Sequence, residues 1–320
     1  LEQKALASDN KALRGKALRA LAGWPNASAA PDLLAVAKGA GSDVEKILAV
    51  RGYINLAQQG VGLSGAEQAA MLNEVAGLCE RPDEKRLVIN SLRASTHPDA
   101  FALLSDYMKD EALKGEAEIS AAELAWNLRW SFPEEVAAMA DALVKSENPS
   151  VQAKAKEALA DISRPSSYIR GWLVAGPISG DAISLYNGAL DPEKDAASVK
   201  WSLLSRGIGE KAIDLAQSYG ESHNSCAYFK CTVVAPEDLS AKLSMGSDDG
   251  IKAWVNGALV HAYMGGRGVI PDQDVVNINL KKGENNLLLK IVQMGGGWGF
   301  SCRVLGQDNM PIAGLKTVAQ

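Results

Sequence analysis

The stretch GSDDGIKAWVNGALVHAY, residues 246–263, decides how the second half of the chain is read. Asp248-Asp249-Gly250 is a turn signal, because Asp tolerates left-handed backbone angles and Gly enters them without steric cost. Residues 251–255 then alternate: Ile251, Ala253 and Val255 face one way, Lys252 and Trp254 the other. Asn256-Gly257 follows, a strong short-range hairpin signal, since a type I′ turn needs positive φ at both central residues. Residues 258–263 run back as the partner strand. The spacing predicts a β-hairpin that opens on a paired-carboxylate turn.

Around this hairpin the same period of two recurs. Strands are expected over residues 168–175, ended by Gly176-Pro177, and over 199–204, 227–234 and 239–245. Residues 275–280 and 287–294 form the next expected pair across Lys281-Lys282-Gly283-Glu284, and 298–305 closes the sheet after Gly295-Gly296-Gly297. Residues 181–197 read as loop and 212–218 as one or two helical turns. Eight or nine short antiparallel strands with polar turns is the pattern of a β-sandwich. Upstream, residues 1–162 carry helical periodicity throughout, with Pro82, Pro98, Pro133 and Pro149 each near a helix start. Helix pairs recurring every 35 to 45 residues or so are the signature of an α-solenoid of HEAT or armadillo type. The expected architecture is multidomain: a HEAT-like α-solenoid over residues 1–163, a linker at Arg164-Pro165-Ser166-Ser167, and an antiparallel β-sandwich over 168–320.

Composition narrows the function. The 320 residues are 47% hydrophobic and 22% charged, ordinary for a chain that buries two cores, and the formal charge of −5 argues against a nucleic-acid binder. No apolar run approaches the roughly 18 residues of a membrane span. The chain opens at Leu1 in helical sequence without a signal peptide, so a targeting segment is expected upstream. Four cysteines are too few for a disulfide scaffold; Cys226 and Cys231, five apart on one strand, point to opposite faces.

Complete catalytic motifs are missing: there is no His-Glu-x-x-His, Gly-x-Ser-x-Gly or Walker loop. Gly295-Gly296-Gly297-Trp298-Gly299 lies between two strands, a poor dinucleotide cradle. His97, His223 and His261 have no ligand-spaced neighbours and read as solvated or core-edge side chains. Asp248 and Asp249 either supply oxygens to calcium, which takes six to eight, or satisfy turn amides. Arg267, Asp272 and Asp274 in RGVIPDQD (267–274) either bind sugar hydroxyls or acidic glycans, or clamp their own loop. Trp298 is either a stacking platform or a core plug, while Trp172, Trp201 and Trp254 are expected in the core. If a sugar site exists, Asp248, Asp249, Arg267, Asp272, Asp274 and Trp298 should meet at one edge of the sandwich.

The hairpin SDDGIKAWVNGALVH, together with GWLVAGPI (171–178) and RGVIPDQDVVNINLKKGENNLLLKIVQMGGGWGFSCRV (267–304), resembles PA14-like and galactose-binding-like sandwiches of jelly-roll type. With the helices before it, the chain resembles HEAT-repeat proteins of planctomycetes and related bacteria. The resemblance implies an extracytoplasmic setting, and in sugar-binding PA14-like relatives the matching Asp-Asp pair binds a calcium ion that holds sugar hydroxyls. The expected function is that of a non-catalytic carbohydrate-binding accessory module of a glycan-using system. Its partners would be a polysaccharide and a protein on the concave side of the solenoid. A structural scaffold that binds protein through both units is the alternative; an enzymatic role would need a catalytic domain outside this chain or an unmotifed carboxylate pair within it.

Overall fold

The computed structural model describes the chain apart from residues 1–4, 7, 9, 40, 62, 165–166, 196–198, 221 and 320. The central linker residues Pro165 and Ser166, and Leu1, thus lie outside the described residues. The chain divides into two compact units, Leu1–Arg129 with Glu134–Ile162, and Trp130–Pro133 with Ser163–Gln320.

The first unit is helical: α1 (Lys11–Ala22), α2 (Ala30–Gly39), α3 (Asp43–Gln59), α4 (Gly65–Ala76), α5 (Pro82–Arg93), α6 (Ala100–Tyr107), α7 (Lys114–Leu128), α8 (Pro133–Leu143) and α9 (Pro149–Ser163). Asn10 and Ser42 cap α1 and α3 through their side chains, and Ser64 with Glu67 forms a capping box on α4. Gly60, at φ 61°, ends α3 in the left-handed conformation that glycine adopts without strain. Alternate helices α1, α3, α5 and α7 pack in succession, burying Leu18, Leu56, Ile89 and Leu92. Charged pairs bridge each to the next: Arg14–Glu45 at 2.9 Å, Arg51–Glu84 at 2.9 Å, Arg86–Glu116 at 3.0 Å, Arg93–Glu123 at 3.0 Å and Arg129–Asp161 at 2.9 Å.

The second unit is a mixed layer of strands and short helices. Its strands are β1 (Leu173–Ser179), β2 (Ser202–Leu203), β3 (Ile213–Asp214), β4 (Ser225–Ala235), β5 (Leu239–Asp248), β6 (Gly250–Val255), β7 (Ala258–Tyr263), β8 (Asp274–Leu280), β9 (Gly283–Gln293), β10 (Gly299–Leu305) and β11 (Lys316–Val318). One sheet runs β2-β1-β4-β9-β6-β7, with β11 also on β4; the other runs β3-β10-β5-β8, and every pairing is antiparallel. One core joins inward side chains of both sheets: Phe229, Ile251, Ala253, Leu289 and Ile291 from the first, Leu243, Met245, Phe300 and Cys302 from the second. Phe300 sits centrally, edge-on to Trp172 at 5.4 Å and tilted against Phe229 at 4.6 Å.

The β6–β7 hairpin forms as the sequence indicates, with Asn256 at φ 50° and Gly257 at φ 80°. The other expected neighbours do not pair. β4 and β5, joined directly in sequence, belong to different sheets, and so do β8 and β9. Alternation names the buried face of a strand but not its partner. β1 does not stop at Gly176-Pro177: the peptide is cis, the register slips between Ala175 and Ile178, and the strand continues. The expected loop at 181–197 holds two short helices, α10 (Ala182–Asn187), capped by the Asp181 side chain, and α11 (Asp191–Lys194), with Pro192 in its first turn. Residues 212–218 are split between β3 and α12 (Ala216–Tyr219). No described helix is long and apolar enough to cross a membrane.

Candidate functional site

Topology gathers four connections at one end of the sandwich: the β5–β6 turn, the β7–β8 loop, the β9–β10 glycine loop and the approach to β4. Asp249 is the anchor. It is only 5% exposed, and both carboxylate oxygens accept backbone N–H groups, from Arg267 at 3.2 Å and from Met294 at 2.8 Å. Its own N–H donates to the Val292 carbonyl at 3.0 Å. One carboxylate thereby fastens the β7–β8 and β9–β10 connections to the turn, and the Asp248–Asp249 peptide is cis.

Arg267 is the second fastener. Its guanidinium pairs with Asp274, donates to Ser247 Oγ at 2.8 Å and stacks over the Tyr263 ring with 3.8 Å to the centroid. Ser247 Oγ in turn donates to the Asp249 carbonyl at 2.8 Å, and His261 Nε2 lies 3.2 Å from Asp274. Burial alone would raise the Asp274 carboxyl, but the bonds from Arg267 and the neighbouring His261 outweigh it and hold the acid below its ordinary range. The sequence pointed to Asp248, Asp249, Arg267 and Asp274 but not to Ser247, His261 or Tyr263. Ser247 had one legible sign, a polar residue at an inward position of an alternating strand.

Asp248 differs from its neighbour. It is half-buried and makes no hydrogen bond or ion pair among the described residues. A methyl placed on Gly297 would lie 2.7 Å from its Oδ2, so the carboxylate faces the glycine loop at close range. Burial, and then the charge of Asp249, push its carboxyl up to about 6.

Two of the expected site residues are elsewhere. Asp272, at φ 67°, turns to the outer face of the four-stranded sheet, where Arg303 grips it at 2.7 and 2.8 Å and Ser244 also donates to it. Burial would raise its carboxyl, and the bonds from Ser244 and Arg303 hold it low instead. Trp298 is 3% exposed and packs in the core against Tyr219 at 5.6 Å, so it offers no stacking face. The glycines beside it let the strands close over the indole: a methyl on Gly299 would meet the Ile213 carbonyl at 2.5 Å. Conversely Trp201 and Trp254, expected in the core with Trp172, are half-buried on the outer face of the larger sheet, Trp201 packed against the smaller cluster there with Leu185 and Tyr228 and Trp254 in neither cluster.

The calcium assignment of Asp248 and Asp249 does not fit the donor set. Among the described residues no three of His, Cys, Asp and Glu gather to hold a metal. The pair offers four oxygens where calcium takes six to eight, and both of those on Asp249 are already bonded to amides. Arg267 adds a positive charge to the same cluster. The four cysteines are free and buried; burial pushes the Cys226 thiol up to about 11, and Cys226 and Cys231 do face opposite sides.

No protein-family model matches the chain, and no curated protein matches it significantly. Solved structures similar to it include an anti-sigma factor domain-containing protein, at 11% identity over 47% of this chain and 45% of that one, with TM-score 0.31. A PA14 sugar-binding domain from an RTX adhesin is 17% identical over 52% of this chain and 82% of that one, with TM-score 0.26. A β-glucosidase from Kluyveromyces marxianus is 14% identical over 42% of this chain and 16% of that one, with TM-score 0.29. The chain spans less than half the length of the first of these. Likeness at this level carries no inference about what the chain binds.

Proposed function

We propose that the second unit binds carbohydrate at the loop end that carries Asp248, as a non-catalytic accessory module of an extracytoplasmic glycan-using system. The observation behind this reading is the Asp248 carboxylate itself, an acceptor with no described protein partner, facing a loop in which Gly296 has open space beside it. An unpaired carboxylate at a protein surface suits the vicinal hydroxyls of a sugar, which donate two hydrogen bonds to its two oxygens. Asp249, Arg267, Ser247 and Asp274 hold the surrounding loops, so ordering costs little on binding. Glycan-array screening followed by calorimetry tests the reading. Binding by the chain and its loss in Asp248→Asn, in a variant that melts no lower than the wild type, is expected. Equal binding by Asp248→Asn, or no binding across a broad polysaccharide panel, would refute it.

A second reading concerns the helical unit, which we take as a HEAT-type solenoid with a protein partner on its concave side. The ion-pair ladder supports it, because each pair joins residues 30 to 33 apart in sequence and so links successive alternate helices in the same way. A cavity of about 310 Å³ opens between α3 and α5 over Ile47, Val50 and Leu78. Co-purification of a partner with the wild-type chain and not with Val50→Glu would favour this scaffold role. Loss of the partner from Asp248→Asn instead would place it on the other unit.

A further inference from the structure

The outer face of the larger sheet carries a row that the Asp248 site does not use. Strand register sets Leu203 opposite Leu173, Leu173 opposite Lys230, Lys230 opposite Leu288, Leu288 opposite Trp254 and Trp254 opposite Leu259. Direct cross-strand partners share a face, so these six side chains cross six strands as one line. None is fully buried; Leu288 packs at the edge of the cluster that α10 covers on this face, Trp254 belongs to neither buried cluster of this unit, and Leu259 is 54% exposed. At about 4.8 Å between strands the line runs roughly 24 Å, longer than one sugar ring.

The flanks of this line are polar. On one side stands exposed Asn286, next to Leu288 on the same face of β9. On the other is Lys252, whose ammonium lies 4.5 Å from the Tyr186 ring centroid; Lys230, in the row itself, has its ammonium 5.4 Å from Trp201. Among the described residues neither lysine has a hydrogen bond or an ion pair, whereas Lys290 between them is spent on Glu193 at 2.8 Å. Two unneutralised ammoniums, one in the row and one beside it, thus stand along a single file of apolar side chains with the Tyr186 and Trp201 rings next to them, in a chain of net charge −5.

We propose that this strip is a second binding surface and that its occupant is an extended anionic polysaccharide. The C–H faces of successive sugar rings would lie along Leu288, Trp254 and Leu259, with carboxylate or sulfate groups at Lys230 and Lys252. A protein partner would want a broad apolar patch, and this strip is too narrow to make one. The charges also choose among glycans, since an acidic chain gains at two unpaired cations what a neutral one does not. The surface stands whether or not the Asp248 end binds sugar.

The test uses the full chain with polygalacturonate and its fully methyl-esterified form, followed by calorimetry at low and high salt. Expected are binding to the acidic polymer, weakening with salt, and little binding to the ester. Trp254→Ala and the pair Lys230→Gln with Lys252→Gln should each weaken it by about tenfold or more, as loss of a central contact does. A neutral glycan that binds at the loop end should not displace the acidic polymer, which separates this surface from that one. Trp254→Tyr should retain binding and serves as the variant if Trp254→Ala does not fold. Equal affinity for the ester, full affinity in the lysine pair or in a folded Trp254→Ala, or no binding of the acid would each overturn the proposal. So would concentration-dependent dimerisation that Trp254→Ala abolishes, which would make a second copy the occupant.

Discussion

Two residues in the β5–β7 region are set against their own folding preferences in opposite ways. Asp248 is ionised at neutral pH although its folded-state carboxyl sits at about 6 rather than 3.8. A raised acid means that the folded state holds its proton more firmly than the unfolded chain, so ionisation above pH 6 costs stability. That cost is relieved as the pH falls from about 6 to 3.8. Asp248→Asn should therefore stabilise the protein at pH 7.5 by on the order of 1 kcal/mol after solvent screening, with the gain gone by low pH. Thermal unfolding of both forms across that range checks it, and a destabilised Asn variant at neutral pH would contradict it. Asn256 is the reverse case, a residue at φ 50° that its surroundings reward. Its side chain donates to Asn285 at 2.9 Å and accepts from the Asn286 N–H at 2.9 Å. Asn256→Ala should cost about 1 to 2 kcal/mol, from positive φ and the lost bonds together. Chemical denaturation measures this directly; an unchanged midpoint would mean that neither effect operates.

Among the elements, the segment spanning α10 and α11 shows what a sequence hides. It reads as loop, yet it covers the larger sheet and is clasped there by one ion pair. Lys290 is 0% exposed and donates to Glu193 at 2.8 Å and to the Gly188 carbonyl at 2.8 Å, while Tyr228 also donates to Glu193. Glu193→Gln would leave a buried ammonium without its countercharge and should cost about 3 kcal/mol, read from the denaturation midpoint. A loss below a few tenths would show that the clasp is unimportant. Nothing in the local sequence announces this pair, because Glu193 and Lys290 are far apart in the chain and one of them sits at an alternating strand position. The hairpin was legible for the opposite reason, that its signal is local: turn residues with special φ beside strict alternation. Trp298 shows the limit of local reading, since glycine neighbours permit either exposure or close packing, and only the partner strands decide. The carboxylates were legible as a cluster, but which of them stayed unbonded depended on loops distant in sequence.

At the scale of the molecule, two units answer to two periods. Helical spacing with charged pairs between alternate helices builds the first, and alternation closed by turns builds the second. The site proposed on the second unit uses no metal, so chelator should leave glycan binding unchanged; loss of binding in chelator would contradict the donor count at Asp248 and Asp249. The central claim is that Asp248 receives sugar hydroxyls as an ionised acceptor. Its most direct measurement is calorimetric titration of a neutral glycan ligand, taken from the array, into the full chain at pH 7.5 and pH 5.0. The prediction is binding at pH 7.5 that weakens as the pH falls through about 6, and no binding at either pH by Asp248→Asn. Affinity that is independent of pH, or retained by Asp248→Asn, would contradict it.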